Sequence, residues 1–120
     1  MIRTLLSVAA LGFWGLPAVA QEAVSSSEAV LRGLDKVSGE VVDIELSVGE
    51  IHRYGLLAIR MDDCRFPAGN PSGDAWAFLV IEDTRTRARV FEGWMIASAP
   101  ALNALDHARY DIWVLRCKTS

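Results

Sequence analysis

The sequence has few of the side chains from which metal sites and redox centres are built: its 120 residues include two histidines and two cysteines. The histidines, His52 and His107, belong to no spaced ligand motif such as H-E-x-x-H. A structural zinc site needs four ligands, and a thiol redox couple is expected to show C-x-x-C. Neither pattern occurs, so we predict no bound metal and no redox centre.

Phosphate-binding loops are also absent, since the chain contains neither G-x-x-x-x-G-K-S/T nor G-x-G-x-x-G. The formal net charge of −3 at pH 7 opposes general binding to polyanions. We therefore predict no cofactor and no nucleic-acid partner.

Only one long apolar run is present, and it lies at the N-terminus. Arg3 precedes apolar residues 5–16, and residues 17–20 (PAVA) place small side chains in an A-x-A cleavage pattern. A membrane-spanning helix needs about 20 apolar residues, and this run is shorter. We predict a cleavable signal peptide over residues 1–20, export, and no transmembrane segment after cleavage.

The two cysteines, Cys64 and Cys117, both lie beyond this segment. An even number of cysteines in a small exported domain indicates a disulfide. A domain of this size buries only about 60–68% of its unfolded surface, so a cross-link would matter to its stability. We predict a structural disulfide, with a metal pair or a redox couple as the alternatives.

The remainder of the chain alternates short strand patterns with turn signals. Residues 21–33 begin with a polar, serine-rich stretch and are predicted to form a flexible lead-in. Residues 34–120 are predicted to form a single β domain with strands in segments 41–49, 49–55, 56–64, 75–83, 84–97 and 109–117. Alternation places Leu57, Ile59 and Met61 on one face of the third of these strands, and Tyr110, Ile112 and Val114 on one face of the last. The segment 75–83 (AWAFLVIED) is apolar on both faces, which predicts a central strand covered on each side.

The segment 98–107 (SAPALNALDH) predicts a short helix before the last strand, with Ser98 or Ala99 as its cap and Pro100 in its first turn. His107 would close that helix, where a cation suits the dipole. The expected fold is mainly β: a small β-sandwich or closed barrel of about six short strands with this one helix. Periodicity does not choose between sandwich and barrel.

One catalytic arrangement can be drawn from the sequence, with Ser98, His107 and Asp111 as a hydrolase triad. However, no G-x-S-x-G elbow surrounds Ser98, and no glycine-rich loop offers an oxyanion hole. Helix-end roles explain Ser98 and His107 equally well. We predict that no residue is catalytic, with this triad as the alternative.

Two carboxylate sets leave further alternatives. Asp62, Asp63, Asn70 and Asp74 could supply oxygens to calcium, but their spacing matches no EF-hand loop. Loop aspartates are more often turn formers. Glu82, Asp83 and Glu92 would suit glycosidase chemistry if the fold brought them together.

Three arginines are candidate contacts for a ligand or partner. Arg85, Arg87 and Arg89 are spaced i, i+2, i+4 and would line one face if a strand began there. They would then meet anionic groups, or protect an exposed strand edge from aggregation.

The aromatic residues Trp94 and Tyr110 are two further candidate contacts. Trp76, Trp94 and Trp113 each lie within an apolar strand, which predicts core packing. Exposed stacking against sugar rings is the alternative.

The chain also carries a recognisable set of stretches: LDKVSG at 34–39, VG at 48–49, Cys64, AFLVIED at 77–83 and VFEGWMIASAPALNALDHARYDIWVLRC at 90–117. Together they resemble a bacterial envelope family known only as domain of unknown function 2155. The resemblance implies an exported single domain, a Gram-negative periplasm, and pairing of Cys64 with Cys117. It implies no established activity.

These observations favour a non-catalytic binding or accessory module for an envelope protein complex. A β domain cross-linked by a disulfide presents loops and strand edges that are suited to binding. A module that binds cell-wall glycan is the alternative, and a small hydrolase is a third.

Overall fold

The computed structural model describes residues 22–119, so the predicted signal peptide lies outside the described residues. Eight strands form within this part of the chain, two more than predicted: β1 (Ala23–Ser26), β2 (Glu28–Asp35), β3 (Val41–Ser47), β4 (Ile51–Tyr54), β5 (Leu57–Pro67), β6 (Trp76–Asp83), β7 (Arg89–Ile96) and β8 (Tyr110–Cys117). Their alternating apolar residues and intervening turns explain why strands dominate.

The strands form two antiparallel sheets, here called the large and the small sheet. In the large sheet β5 pairs with β6 and β6 with β7, while β1 and β4 share the other edge of β5. The small sheet has the order β3-β2-β8. No pairing among residues 22–119 closes either sheet into a barrel, so the predicted sandwich is confirmed and the barrel alternative is wrong.

The core lies between the two sheets and follows the predicted alternation. In β5 Leu57, Ile59 and Met61 are each 0% exposed. In β8 Tyr110, Ile112 and Val114 face the same interior and are buried. Period-two patterning therefore assigned the inner faces of these two strands correctly.

A disulfide joins the two sheets across this core. Cys64 lies in β5 of the large sheet and Cys117 lies at the end of β8 in the small sheet. Their Cα atoms are 5.9 Å apart and both residues are buried. The predicted pairing is thus present, and it links the two layers directly.

The predicted flexible lead-in over residues 21–33 is wrong for its described part. Ala23–Ser26 forms β1 along β5, and Glu28–Asp35 forms β2, the central strand of the small sheet. Ala29 and Leu31 are fully buried there. The serine-rich start masked a strand because its backbone groups bond to neighbouring strands that are distant in sequence.

The predicted helix over residues 98–107 is also wrong, since only a three-residue 3₁₀ turn forms, at Pro100–Leu102. Ser98 donates from Oγ to Asp74 Oδ2 at 2.8 Å and does not cap the turn. Asn103 is extended and donates its side-chain amide to the carbonyl oxygen of Trp94 at 3.0 Å. These tertiary contacts override the helix propensity of the segment.

Strand β6 is central in the large sheet, but only one of its faces is covered by the other layer. Ala77, Leu79 and Ile81 point into the core and are fully buried. On the opposite side Val80 is buried, but Trp76 and Phe78 are partly exposed. The prediction of two covered faces is therefore wrong, and the outer face becomes a candidate site.

Candidate functional site

The outer face of the large sheet carries a group of apolar side chains that we call the aromatic platform: Trp76, Phe78, Trp94 and Ile96. The register of β6 and β7 places Trp76 opposite Ile96 and Phe78 opposite Trp94. The Phe78 and Trp94 rings meet edge to face, with centroids 5.4 Å apart. All four side chains are partly exposed, so the platform is preformed and open.

The platform borders an open groove of about 310 Å³, lined by Ala23, Arg65, Trp76, Trp94 and Ile96. The guanidinium carbon of Arg65 lies 5.4 Å from the centroid of the Trp94 ring, a cation–π contact. The same side chain donates from Nε to the carboxylate of Asp63 at 2.8 Å. The groove is thus apolar with one charged side chain at its edge.

Paired charges occupy the other end of this outer face. Arg60 bonds Asp62 at 2.8 Å, and Arg89 bonds Glu92 at 3.1 Å. The hydrogen bond to Asp62 raises the pKa of Arg60 above its usual value. The face therefore changes from aromatic to a set of compensated ion pairs along its length.

The three candidate arginines do not form a row. Strand β7 begins at Arg89, so Arg85 and Arg87 lie in the preceding turn. Arg87 has a positive φ of 58°, and Arg85 contacts the Asp83 carboxylate at 3.4 Å. A common face for the three arginines required a strand that begins at Arg85, but the strand begins four residues later, at Arg89.

A buried polar cluster lies at the end of β6, where His107 Nε2 is 3.2 Å from Asp83 Oδ2. The side chains of both residues are less than one-tenth exposed. Nδ1 of His107 accepts hydrogen bonds from the backbone N–H groups of Arg109 and Tyr110. The hydrogen therefore resides on Nε2, which donates to Asp83.

The pKa of Asp83 lies far below its usual value. The hydrogen bond from His107 is the main cause, followed by those from the backbone N–H and the guanidinium of Arg85. Asp83 could have been found from the sequence, because it continues the inward series Ala77, Leu79, Ile81 at period two.

The three residues of the candidate triad have separate partners. Ser98 bonds Asp74, and Asp111 lies 3.9 Å from the ammonium of Lys36. The carboxylate beside His107 is Asp83, and both nitrogens of that ring are engaged. In this arrangement the imidazole offers no free lone pair to accept a substrate proton.

The carboxylate sets are also separated by the fold. Asp62 and Asp63 pair with arginines, and Asp83 is buried while Glu82 and Glu92 are on the outside. Within residues 22–119 no group of three or more His, Cys, Asp or Glu side chains is placed to hold a metal ion.

The remaining aromatic candidates have different environments. Tyr110 is buried, and its hydroxyl accepts a hydrogen bond from the Leu56 N–H at 3.3 Å, so it serves the core. Trp113 is partly exposed on the outer side of the small sheet. The expectation that Trp76, Trp94 and Trp113 pack in the core is wrong, because their positions alternate with the inward residues.

Asp83 leads to a prediction about acid stability. In the unfolded chain its pKa is about 3.9, so its stabilisation is complete above that pH and is lost as the pH falls below it. Asp83→Asn should therefore be less stable than wild type at pH 7 and lose less stability between pH 5 and pH 2. Urea unfolding of both proteins between pH 5 and pH 2 measures this difference in stability. Asp43→Asn, at the half-exposed pair with Arg32, is the matched control, and an equal flattening there would contradict the prediction.

Comparison with known proteins assigns a family. A family model described as "Uncharacterized protein conserved in bacteria (DUF2155)" matches residues 29–117, and the chain belongs to this family. The match runs from β2 to Cys117 and so includes both cysteines of the disulfide. No curated protein and no solved structure matches the chain. Within the described residues, no helix has the length and apolar character needed to cross a membrane.

Proposed function

We propose that this protein is an exported, non-catalytic binding module that joins an envelope protein complex through the aromatic platform. The observation that carries the proposal is the exposure of two tryptophans, Trp76 and Trp94, on a preformed sheet face. Tryptophan and arginine are enriched at the energetic centres of protein interfaces. A hydrophobic centre with a polar rim is the usual anatomy of such an interface, and the ion pairs of Arg60 and Arg89 supply that rim.

The lining of the groove favours a protein over a glycan. Small-molecule sites combine apolar walls with several placed polar groups, and a sugar ring carries many hydroxyls that need partners. Here the groove offers one charged side chain, Arg65, whose Nε already donates to Asp63. A glycan remains the second candidate because the exposed rings of Trp76 and Trp94 could stack on sugars.

The proposed location in the periplasm is supported by two features. Residues 1–20 have the pattern of an export signal. The disulfide between Cys64 and Cys117 suits an oxidising compartment.

Affinity purification of the tagged mature protein after mild crosslinking in its native envelope tests the proposal. Trp94→Ala removes the centre of the platform, and Val37→Ala removes an exposed apolar side chain from the turn between β2 and β3 as the control. Loss of an interface residue worth about 2 kcal/mol weakens affinity by roughly 30-fold. We expect a stoichiometric protein with wild type and Val37→Ala, and strongly reduced recovery with Trp94→Ala.

Equal recovery with Trp94→Ala would contradict the platform as the binding face. Pelleting of the protein with purified cell wall, lost in Trp94→Ala, would replace the protein partner with a glycan. Thermal unfolding of each variant checks that the fold is intact.

A further inference from the structure

Strand β8 has a free edge. It lies at the end of the small sheet and pairs with β2 on one side only. Within residues 22–119, the backbone groups of residues 111–116 make no hydrogen bonds to turns, loops or another strand on the other side. An edge strand presents a row of unpaired N–H and C=O groups, which is a template for another extended chain.

Most other edges of the described sheets are short or bonded to loop groups, whereas the outward backbone groups of β8 are unbonded although residues 100–105 lie beside them. Strands β1 and β4 have only four residues each. Strand β3 carries exposed carboxylates at Asp43 and Glu45, and on β7 the Asn103 amide and the Ala99 N–H bind backbone carbonyls of Trp94 and Ile96. Short length, charge and covering loops are the usual protections of an edge. Strand β8 has eight residues and a regular register with β2 from Tyr110 to Val114.

An apolar groove follows this free edge. One wall is the segment after β7, with Pro100, Ala101, Ala104 and Leu105, and the other wall is β8, with Asp111, Ile112 and Trp113. The groove has a volume of about 310 Å³. It therefore offers apolar space beside the backbone groups that an added strand would bind.

We propose that β8 receives an extended segment of a partner protein as an additional antiparallel strand, with an apolar side chain of that segment filling the groove. Unpaired backbone groups on a strand edge bind an extended peptide. Because every second side chain of that peptide would point toward the groove, the peptide should have apolar residues at alternate positions. A second copy of this chain pairing through its own β8 would instead give a dimer whose residues 111–116 exchange slowly without peptide, and that outcome would overturn the inference.

The charge at the far end of β8 specifies the segment further. Arg116 is exposed and forms no ion pair among the residues that the structure describes. An acidic residue at the corresponding end of the added strand would pair with it. This inference rests on the partner being a protein, as proposed above, but it uses a different surface from the aromatic platform.

Hydrogen exchange of the mature protein with a model peptide tests the inference. The probe is an eight-residue peptide with Val or Leu at alternate positions, Thr between them and Glu at one end. At a peptide concentration of ten times its Kd, exchange of the bound amides should slow about tenfold, and we expect this slowing in those amides of residues 111–116 that point away from β2. Two peptides methylated on one or the other alternate set of backbone nitrogens provide the control, because only one set of N–H groups faces β8. One of these two peptides should keep binding and the other should lose it.

A groove variant completes the test. Ala104→Arg places a long charged side chain in the groove and should abolish the slowing, whereas Ala108→Arg alters an exposed position of the same loop outside the groove and should preserve it. No slowing up to about 1 mM peptide, slowing confined to the platform, or full binding to Ala104→Arg would each overturn the inference. In those cases a Trp94-dependent protein partner would leave the proposed function standing.

Discussion

Replacing both Cys64 and Cys117 with alanine is expected to lower the free energy of unfolding by about 4 kcal/mol. The two cysteines are 53 residues apart in sequence, so the bond removes much of the conformational freedom of the unfolded chain. It also joins the two sheets of the sandwich through residues that are buried. Small domains have little core to compensate for such a loss. Urea unfolding followed by tryptophan fluorescence gives the difference.

The reduced wild-type protein is the control for this measurement, because it lacks the cross-link but keeps both sulfur atoms in the core. Wild type under reducing conditions should approach the stability of the double alanine variant. Alkylation of the unreduced protein in denaturant should label no thiol. Labelling of two thiols would contradict the disulfide.

The strand faces were predictable because alternation is a local property. Leu57, Ile59 and Met61 could be assigned to one face from their spacing alone, and the structure buries all three. The same spacing assigned Tyr110, Ile112 and Val114 to one face of β8. Cys117 is out of phase with that series and is buried because the register with β2 shifts between Val30 and Leu31, which the spacing did not predict.

Whether a second layer covers a strand face depends on the arrangement of the whole fold, and the prediction for β6 was wrong for this reason. The pattern of β6 showed two apolar faces, but only the number and order of the strands decide that one of them lacks a second layer. The aromatic platform follows from that order. The predicted helix failed for a similar reason, because Asp74 and Trp94, which lie 24 and 9 residues away in sequence, take the hydrogen bonds of Ser98 and Asn103.

The polar cluster was missed because sequence proximity suggested the wrong carboxylate. Asp111 is close to His107 along the chain, but it lies on the partly exposed side of β8. Asp83 reaches the imidazole from the neighbouring sheet, across 24 residues of sequence. Only the packing of the two layers shows that pairing.

Gly55→Ala is expected to lower the free energy of unfolding by about 2–5 kcal/mol, from a strained backbone and a steric overlap together. Gly55 has a positive φ of 55° in the turn between β4 and β5. An added Cβ would lie 2.6 Å from Cζ of Tyr110, closer than real contacts allow. Tyr110 is fixed by the Leu56 N–H at its hydroxyl and by His107 at its backbone N–H. Displacing the ring would therefore disturb the His107–Asp83 pair as well, and urea unfolding measures the loss.

Gly49→Ala separates the two causes of that loss. Gly49 also has a positive φ, of 83°, but an added Cβ there meets no atom within 4 Å. Its variant should lose only the conformational contribution of about 1–2 kcal/mol. Equal losses at the two glycines would show that Tyr110 moves aside without cost, and would contradict a rigid cluster around His107. A larger loss at Gly55, with Trp94-dependent binding unchanged in the folded variant, would assign the histidine cluster to stability and the platform to binding.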